Sequence, residues 1–309
     1  MLQDKSCHKT LFQKLIEFIF YGNYFYGICV VSLMIETSFQ MHILYKGVFI
    51  YCMAFIVTVL FYNYPYARNY VPNSKNPRTQ WYVRNHGLVL KTQISLTIFV
   101  LILLIFGMIY YHEEIKMIRF FQWFLFLIFP VFGAMYYGTN VISKKYNLRK
   151  IGWLKPFIIG FVWAGIATIY PVIFNDILQF HKSELSLFGT LLFFKNVMFI
   201  SLLAIMFDVK DFASDRHANL STLVVKIGLF KTIFYVLLPL TVLGILTFLT
   251  YAITHNFSIL KIILVLIPFL LLILSAISLK KRRTLLYYLI VIDGLMVIKA
   301  VFGVFAALV

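Results

Sequence analysis

The stretch "MFDVKDFASDRHANLSTLVVKIG" occupies Met206 to Gly228. It leaves a long apolar run and places Asp208, Asp211 and Asp215 within a few positions of one another. The chain has 11 acidic residues against 28 basic ones, a net charge of +17. Acids this scarce, gathered this closely, need a reason. At about 100° per residue, positions i, i+3 and i+7 fall within an arc of about 60°, so on a helix the three carboxylates share a face. Like charges so placed destabilise a helix by about 0.2–0.5 kcal/mol per pair. At the C-terminal end of a helix they also oppose the macrodipole. A divalent cation answers both problems, and oxygen-only ligands suit Mg²⁺, which takes carboxylates together with water and substrate phosphates. The plainer reading is a solvated loop, its aspartates capping a fresh helix and pairing with Lys210 and Arg216.

Outward from this stretch, composition sets the class. The chain of 309 residues is 62% hydrophobic, 18% aromatic and only 13% charged, with mean hydropathy +0.90. A soluble domain carries about 25% charged residues. Apolar runs of the length a bilayer demands, about 20 residues, recur at roughly 15–35, 43–63, 93–111, 119–137, 156–175, 187–207, 232–253, 258–279 and 285–308. The runs are continuous and lack period-two alternation, so helices are expected rather than a barrel. The expected fold is all-α: one polytopic membrane domain over residues 1–309, a bundle of about nine transmembrane helices with cytosolic cap loops. The first run is too long for a signal-peptide core and no small-x-small cleavage site follows, so it reads as a retained helix.

The basic residues are not scattered. Lys5, Lys9 and Lys14 precede the first span. Arg68, Lys75, Arg78, Arg84 and Lys91 follow the second. Lys144, Lys145, Arg149, Lys150 and Lys155 lie between the fourth and fifth, and further groups sit after the sixth and eighth. All fall on one face of the membrane. This is the positive-inside pattern. It puts the N-terminus in the cytoplasm and the C-terminus outside, as in an integral protein of a bacterial-type inner membrane. It also accounts for the basic charge without nucleic acid. The aspartate triplet lies on that same face, whose other loops between spans carry no acid.

Other signals are weaker. Cys7, Cys29 and Cys52 have no metal or redox spacing. Asn23, Lys195, Asn196, Asp293 and Lys299 lie inside expected spans, where polar groups are costly. Asp293 either lines a cavity, pairs with Lys195, or holds helices together by hydrogen bonds, and Lys299 is placed to snorkel outward. Tyr62, Tyr64, Tyr66 and Tyr70 suit an interface belt or packing against an apolar ligand.

The triplet and its surroundings resemble the UbiA superfamily of intramembrane prenyltransferases. The family's second aspartate motif is matched by Asp208, Asp211 and Asp215, with Thr222, Leu223 and Gly228 as its tail; Asn219 stands where glycine is usual. "YNLRKIGWLKPFIIGFVWAG" is similar to the family's tyrosine, basic pair and spaced glycines, through Lys150, Gly160 and Gly165. The first aspartate motif departs from the pattern. In "FYNYPYARNYVPNSKNPRTQW" Asn63 matches the leading asparagine, and Lys75, Arg78 and Thr79 match the basic end. Tyr64, Ala67 and Val71 replace the aspartates, and no acid occurs between Glu36 and Glu113.

The resemblance implies a nine-helix bundle, Mg²⁺ as cofactor, and two substrates, a prenyl diphosphate and a lipophilic, commonly aromatic acceptor, with membrane lipid as surroundings. It assigns Asp208, Asp211 and Asp215 to catalysis and Mg²⁺, and Asn63, Lys75, Arg78 and Lys150 to the diphosphate. With the first motif empty, two alternatives stand beside prenyl transfer. One is a non-catalytic prenyl-lipid-binding protein of the same fold. The other is a secondary carrier built around Asp293 and Lys195.

Overall fold

Thr10 starts the first helix. Its hydroxyl accepts from the Gln13 amide while its own N–H donates to the Gln13 side chain, a reciprocal cap that satisfies two otherwise orphaned donors. α1 (Leu11–Tyr21) then stops at Gly22, and Asn23 takes a left-handed conformation, φ 64°, which asparagine tolerates better than most residues. α2 (Tyr24–Gln40) leaves at 63° to α1. These are the first elements of a computed structural model that describes residues 10–43, 48–68, 76–137, 151–179, 186–217 and 220–309.

The remaining long helices are α3 (Phe49–Arg68), α4 (Pro77–Arg84), α5 (His86–Tyr110), α6 (Phe120–Tyr137), α7 (Lys155–Leu178), α8 (Leu187–His217), α9 (Leu229–Thr254), α10 (Ile259–Ser278) and α11 (Leu285–Leu308). No strand occurs among the described residues. Seven of these helices are long and apolar enough to cross a membrane, and the bent α1–α2 pair makes up to eight. The shorter apolar α6 matches the fourth expected run, 119–137. Each of the nine runs is therefore a helix, and the protein is a polytopic, integral membrane protein. What the sequence did not show is the break in the first run.

α8 packs along α7, α11 along α2 and α10, and α3 along α2 and α5. Two glycines explain the closeness of α7 to its neighbours. A Cβ on Gly160 would lie 2.6 Å from the Val197 carbonyl oxygen on α8, and one on Gly165 would enter the Phe129 ring of α6. Their shared spacing is thus a packing device. The buried core runs through Phe199, Leu203 and Met206 of α8, Phe269 and Leu272 of α10, and Ile292 and Met296 of α11.

α8 has 31 residues. About twenty cross a bilayer core, so its last third projects beyond, and Asp208, Asp211 and Asp215 all lie in that projection. α4, the helix that follows the tyrosine-rich end of α3, caps the same side by packing on α1, α3 and α5.

Candidate functional site

Asp208 is fully buried. Lys155, the first residue of α7, reaches it from the side, Nζ to Oδ1 at 2.5 Å. A cation at a helix N-terminus is disfavoured by the helix dipole, and the carboxylate offsets it. The other oxygen of Asp208 is buried with no hydrogen-bond partner among the described residues. Asp211 lies 3.2 Å from Lys210, and Asp215 completes the face one turn further on. The negative charges of Asp211 and Asp215 act on Asp208.

A second polar cluster lies under α4. Asn63, near the end of α3, is buried; its Oδ1 accepts from Asn23 at 2.8 Å and from the Tyr82 hydroxyl at 2.5 Å. The Asn23 amide also donates to Tyr82 at 2.9 Å and to the Tyr62 carbonyl at 3.2 Å. Arg78 is buried above them. Its Nε donates to the Tyr21 carbonyl at 3.2 Å, and its plane lies 5.2 Å from the Tyr66 ring and 5.8 Å from that of Tyr26. One terminal nitrogen of Arg78 has no partner among the described residues. Burial acts to discharge this guanidinium, and the facing tyrosines Tyr66, Tyr26 and Tyr82 outweigh it, leaving its pKa raised. Burial likewise pushes the Tyr82 phenol up, against the charge of Arg78.

Asp293 links the two clusters. It follows a π-helical turn, Tyr288–Ile292, and its N–H bonds back five residues to the Tyr288 carbonyl. Such turns often mark functional positions. The carboxylate lies near Tyr26 and within electrostatic reach of both Arg78 and Lys210. Cations from the α4 cap and from the aspartate motif therefore meet at one buried acid.

An apolar cavity of about 590 Å³ lies along α8 and α9, and a larger one of about 720 Å³ lies among α3, α5, α6 and α7. The larger one runs along α3 from Phe49 to Tyr62 and includes Tyr136 and Trp163. Tyr62 and Trp163 mark the end of the cavity nearest the Asn63–Arg78 cluster, and neither Lys155 nor Asp208 lines it. That end is aromatic: Trp163 donates to the Tyr62 hydroxyl at 2.7 Å, and Tyr26 packs 4.5 Å from Tyr62.

Among the described residues, no three His, Cys, Asp or Glu side chains converge closely enough to hold a metal ion. Mg²⁺ takes about one or two carboxylates and keeps water and phosphate oxygens, and the oxygen open to such an ion is the unpartnered one of Asp208.

Of the residues singled out from sequence, the structure groups Asp208, Asp211 and Asp215 on α8, and Asn63 with Arg78 under α4. Lys75 and Lys150 lie outside the described residues. Asp293 does not pair with Lys195; it lies near Tyr26, while Lys195 faces Glu36. Lys299 does not snorkel outward but is buried against Glu36 at 2.6 Å. Asp293 and Lys195 thus belong to different clusters, and the two-residue midplane site expected of a carrier is not formed. Lys155, Tyr26 and Tyr82 were missed. The signal for Lys155 was its position, the last cation before the spaced glycines of α7.

These features define a helical membrane protein with a buried carboxylate–lysine pair, a polar cap and an apolar slot between helices. No family profile and no curated protein sequence matches the chain. The fold is similar to that of a digeranylgeranylglyceryl phosphate synthase, with a TM-score of 0.54 and 17% identity, over 95% of this chain and 98% of that one. That synthase is an intramembrane prenyltransferase of the UbiA type, so the shared fold is the one the motif resemblance implies.

Proposed function

We propose that the protein transfers a prenyl chain from a prenyl diphosphate to a lipophilic acceptor, with the caps on the cytoplasmic side. The observation that carries this reading is the 720 Å³ apolar cavity whose Tyr62 end adjoins the buried polar cluster of Asn63, Tyr82 and Arg78. A soluble phosphotransfer site needs no such slot.

In this reading the prenyl tail fills the cavity and the diphosphate sits among the caps. Arg78 presents a fixed, always-charged donor, and Lys155 and Lys210 add charge from the aspartate side; Lys75 and Lys150 are assigned to the same task. Together they stabilise the leaving diphosphate as its charge develops. Asn63, with its oxygen occupied by Asn23 and Tyr82, acts by holding the end of α3 under Arg78. Tyr62, Tyr26 and Trp163 offer ring faces to the allylic carbon, where a growing positive charge is attracted to π electrons. The apolar walls keep water from that carbon. Mg²⁺ held through Asp208, on the face it shares with Asp211 and Asp215, would supply further neutralisation of the diphosphate. The absence of first-motif acids leaves Arg78 as the buried cation of α4.

The slot also limits the tail. Ile50 to Tyr62 along α3 is about 18 Å at 1.5 Å per residue. An extended chain advances about 3.5 Å per three bonds, so an isoprene unit of four bonds takes about 4.7 Å and about four units fit.

The test is diphosphate release by purified protein given labelled prenyl diphosphates, an acceptor-bearing lipid extract and Mg²⁺. Release that disappears in Asp208→Asn supports the reading. Tight prenyl diphosphate binding without release, in wild type as in the variant, assigns the protein to binding alone, and no binding overturns both.

A further inference from the structure

A second set of deeply buried charges lies away from this site. Glu36 of α2 is 1% exposed, Lys299 of α11 is 4% exposed, and they are 2.6 Å apart. Gln40 donates to the same carboxylate at 3.0 Å. Gly303 makes the room, because a Cβ there would lie 2.5 Å from Glu36 Oε1. That pair is complete in itself. Yet a second ammonium, Lys195 of α8, approaches the carboxylate at 3.8 Å. One acid faces two cations, so the cluster holds excess positive charge inside the membrane. Such charge is expensive without a counter-ion.

Lys195 is not walled in. It lines the 590 Å³ groove that follows α8 from Phe188 to Ile205. From Lys195 to Ile205 the groove runs ten steps, about 15 Å, enough for about thirteen bonds of an extended chain. The walls are apolar apart from a few groups, and the groove's cations, Lys195 and Lys261, lie toward the face opposite the aspartates. Glu36 is one helical turn from the end of α2, so its level is within reach of a lipid headgroup.

We propose that this groove binds an acidic phospholipid of the surrounding bilayer, its phosphate on Lys195 and one acyl chain laid along α8. Charge complementarity selects the headgroup, and the length and apolarity of the groove select the chain. A small soluble anion has no comparable use for the slot. The site is independent of prenyl transfer, and its test does not read turnover.

The experiment is native mass spectrometry of the detergent-purified full chain with phosphatidylglycerol or phosphatidylcholine of identical acyl chains. The wild type is expected to retain the acidic lipid about fivefold better, the effect of one well-placed lysine. Lys195→Gln loses that preference and Lys195→Arg keeps it. Leu243→Trp, which fills the groove without touching a charge, lowers retention of both lipids and keeps the test alive if Lys195→Gln fails to fold. Equal retention of the two lipids by wild type overturns the proposal, as does a preference that survives Lys195→Gln. A lipid-free dimer that Leu243→Trp dissociates overturns it too, and gives the groove to a second copy of the chain.

Discussion

Asn23, at the break between α1 and α2, donates a 2.8 Å hydrogen bond to Asn63, forty residues later and near the end of α3. The bond ties the only left-handed residue of the first span to the helix that carries the tyrosine-rich cap. Asn63 acts through its oxygen, which takes two donors. In Asn63→Ala the Asn23 amide keeps the Tyr62 carbonyl and the Tyr82 oxygen, while the buried Tyr82 hydroxyl loses its acceptor, and an unsatisfied donor costs about 1–3 kcal/mol. Asn63→Asp keeps both acceptor contacts beside Arg78. Thermal unfolding in detergent is expected to show a clear loss for alanine and a smaller one for aspartate.

The Lys155–Asp208 pair anchors the aspartate side of the functional reading. Breaking a buried pair by removing one partner costs about 3 kcal/mol or more, so Lys155→Ala and Asp208→Ala both destabilise. The double variant is expected to lose less than their sum, as groups in direct contact do. Unfolding of the four proteins in mixed micelles measures the coupling, and strict additivity would mean the pair holds nothing together.

Arg78 makes a sharper claim, because its role depends on shape as well as charge. The flat guanidinium lies over Tyr66 and Tyr26 and is anchored through Nε. Lysine cannot reproduce either contact. Prenyl transfer is expected to fall by about a hundredfold in Arg78→Met, the scale of losing one preorganised electrostatic donor, and Arg78→Lys should recover little of it. Diphosphate release at matched protein stability decides.

Tail length is open to direct control. Ala54 lines the large cavity eight residues from Tyr62, about 12 Å along α3. A tryptophan there closes the slot after about two and a half isoprene units. Competition between short and long prenyl diphosphates is expected to shift toward the short ones in Ala54→Trp, with no shift if the tail lies elsewhere.

Gly160 tests the packing of α7 on α8 without touching charge. Its Cβ position lies 2.6 Å from a backbone oxygen, which cannot turn aside. Gly160→Val is expected to cost about 1–3 kcal/mol or more through overpacking. It also moves Lys155 relative to Asp208, so stability and turnover should fall together.

Much of this was readable beforehand, for specific reasons. Nine apolar runs became nine helical regions because lipid leaves a backbone few ways to satisfy itself. Asp208, Asp211 and Asp215 fall on one face because helical spacing alone decides that. What could not be read were contacts between distant segments. Nothing local to Lys155 names Asp208, fifty-three residues on, and nothing near Asn23 names Tyr82. Lys299 illustrates the limit well. Its place near a helix end argued for reaching outward, and Glu36, 263 residues earlier, drew it inward. Tyr62 and Tyr64 show the same limit at close range: one hydrogen-bonds Trp163 inside, while the other is half exposed.

The break at Asn23 reaches beyond the protein itself. α2 has 17 residues, about 26 Å against a hydrocarbon thickness of about 30 Å. Neighbouring acyl tails must shorten to meet it, at a modest cost for each ångström of mismatch. The protein therefore carries a shallow dimple in the bilayer with it, and membranes of short-chain lipid are expected to accommodate it with the least distortion.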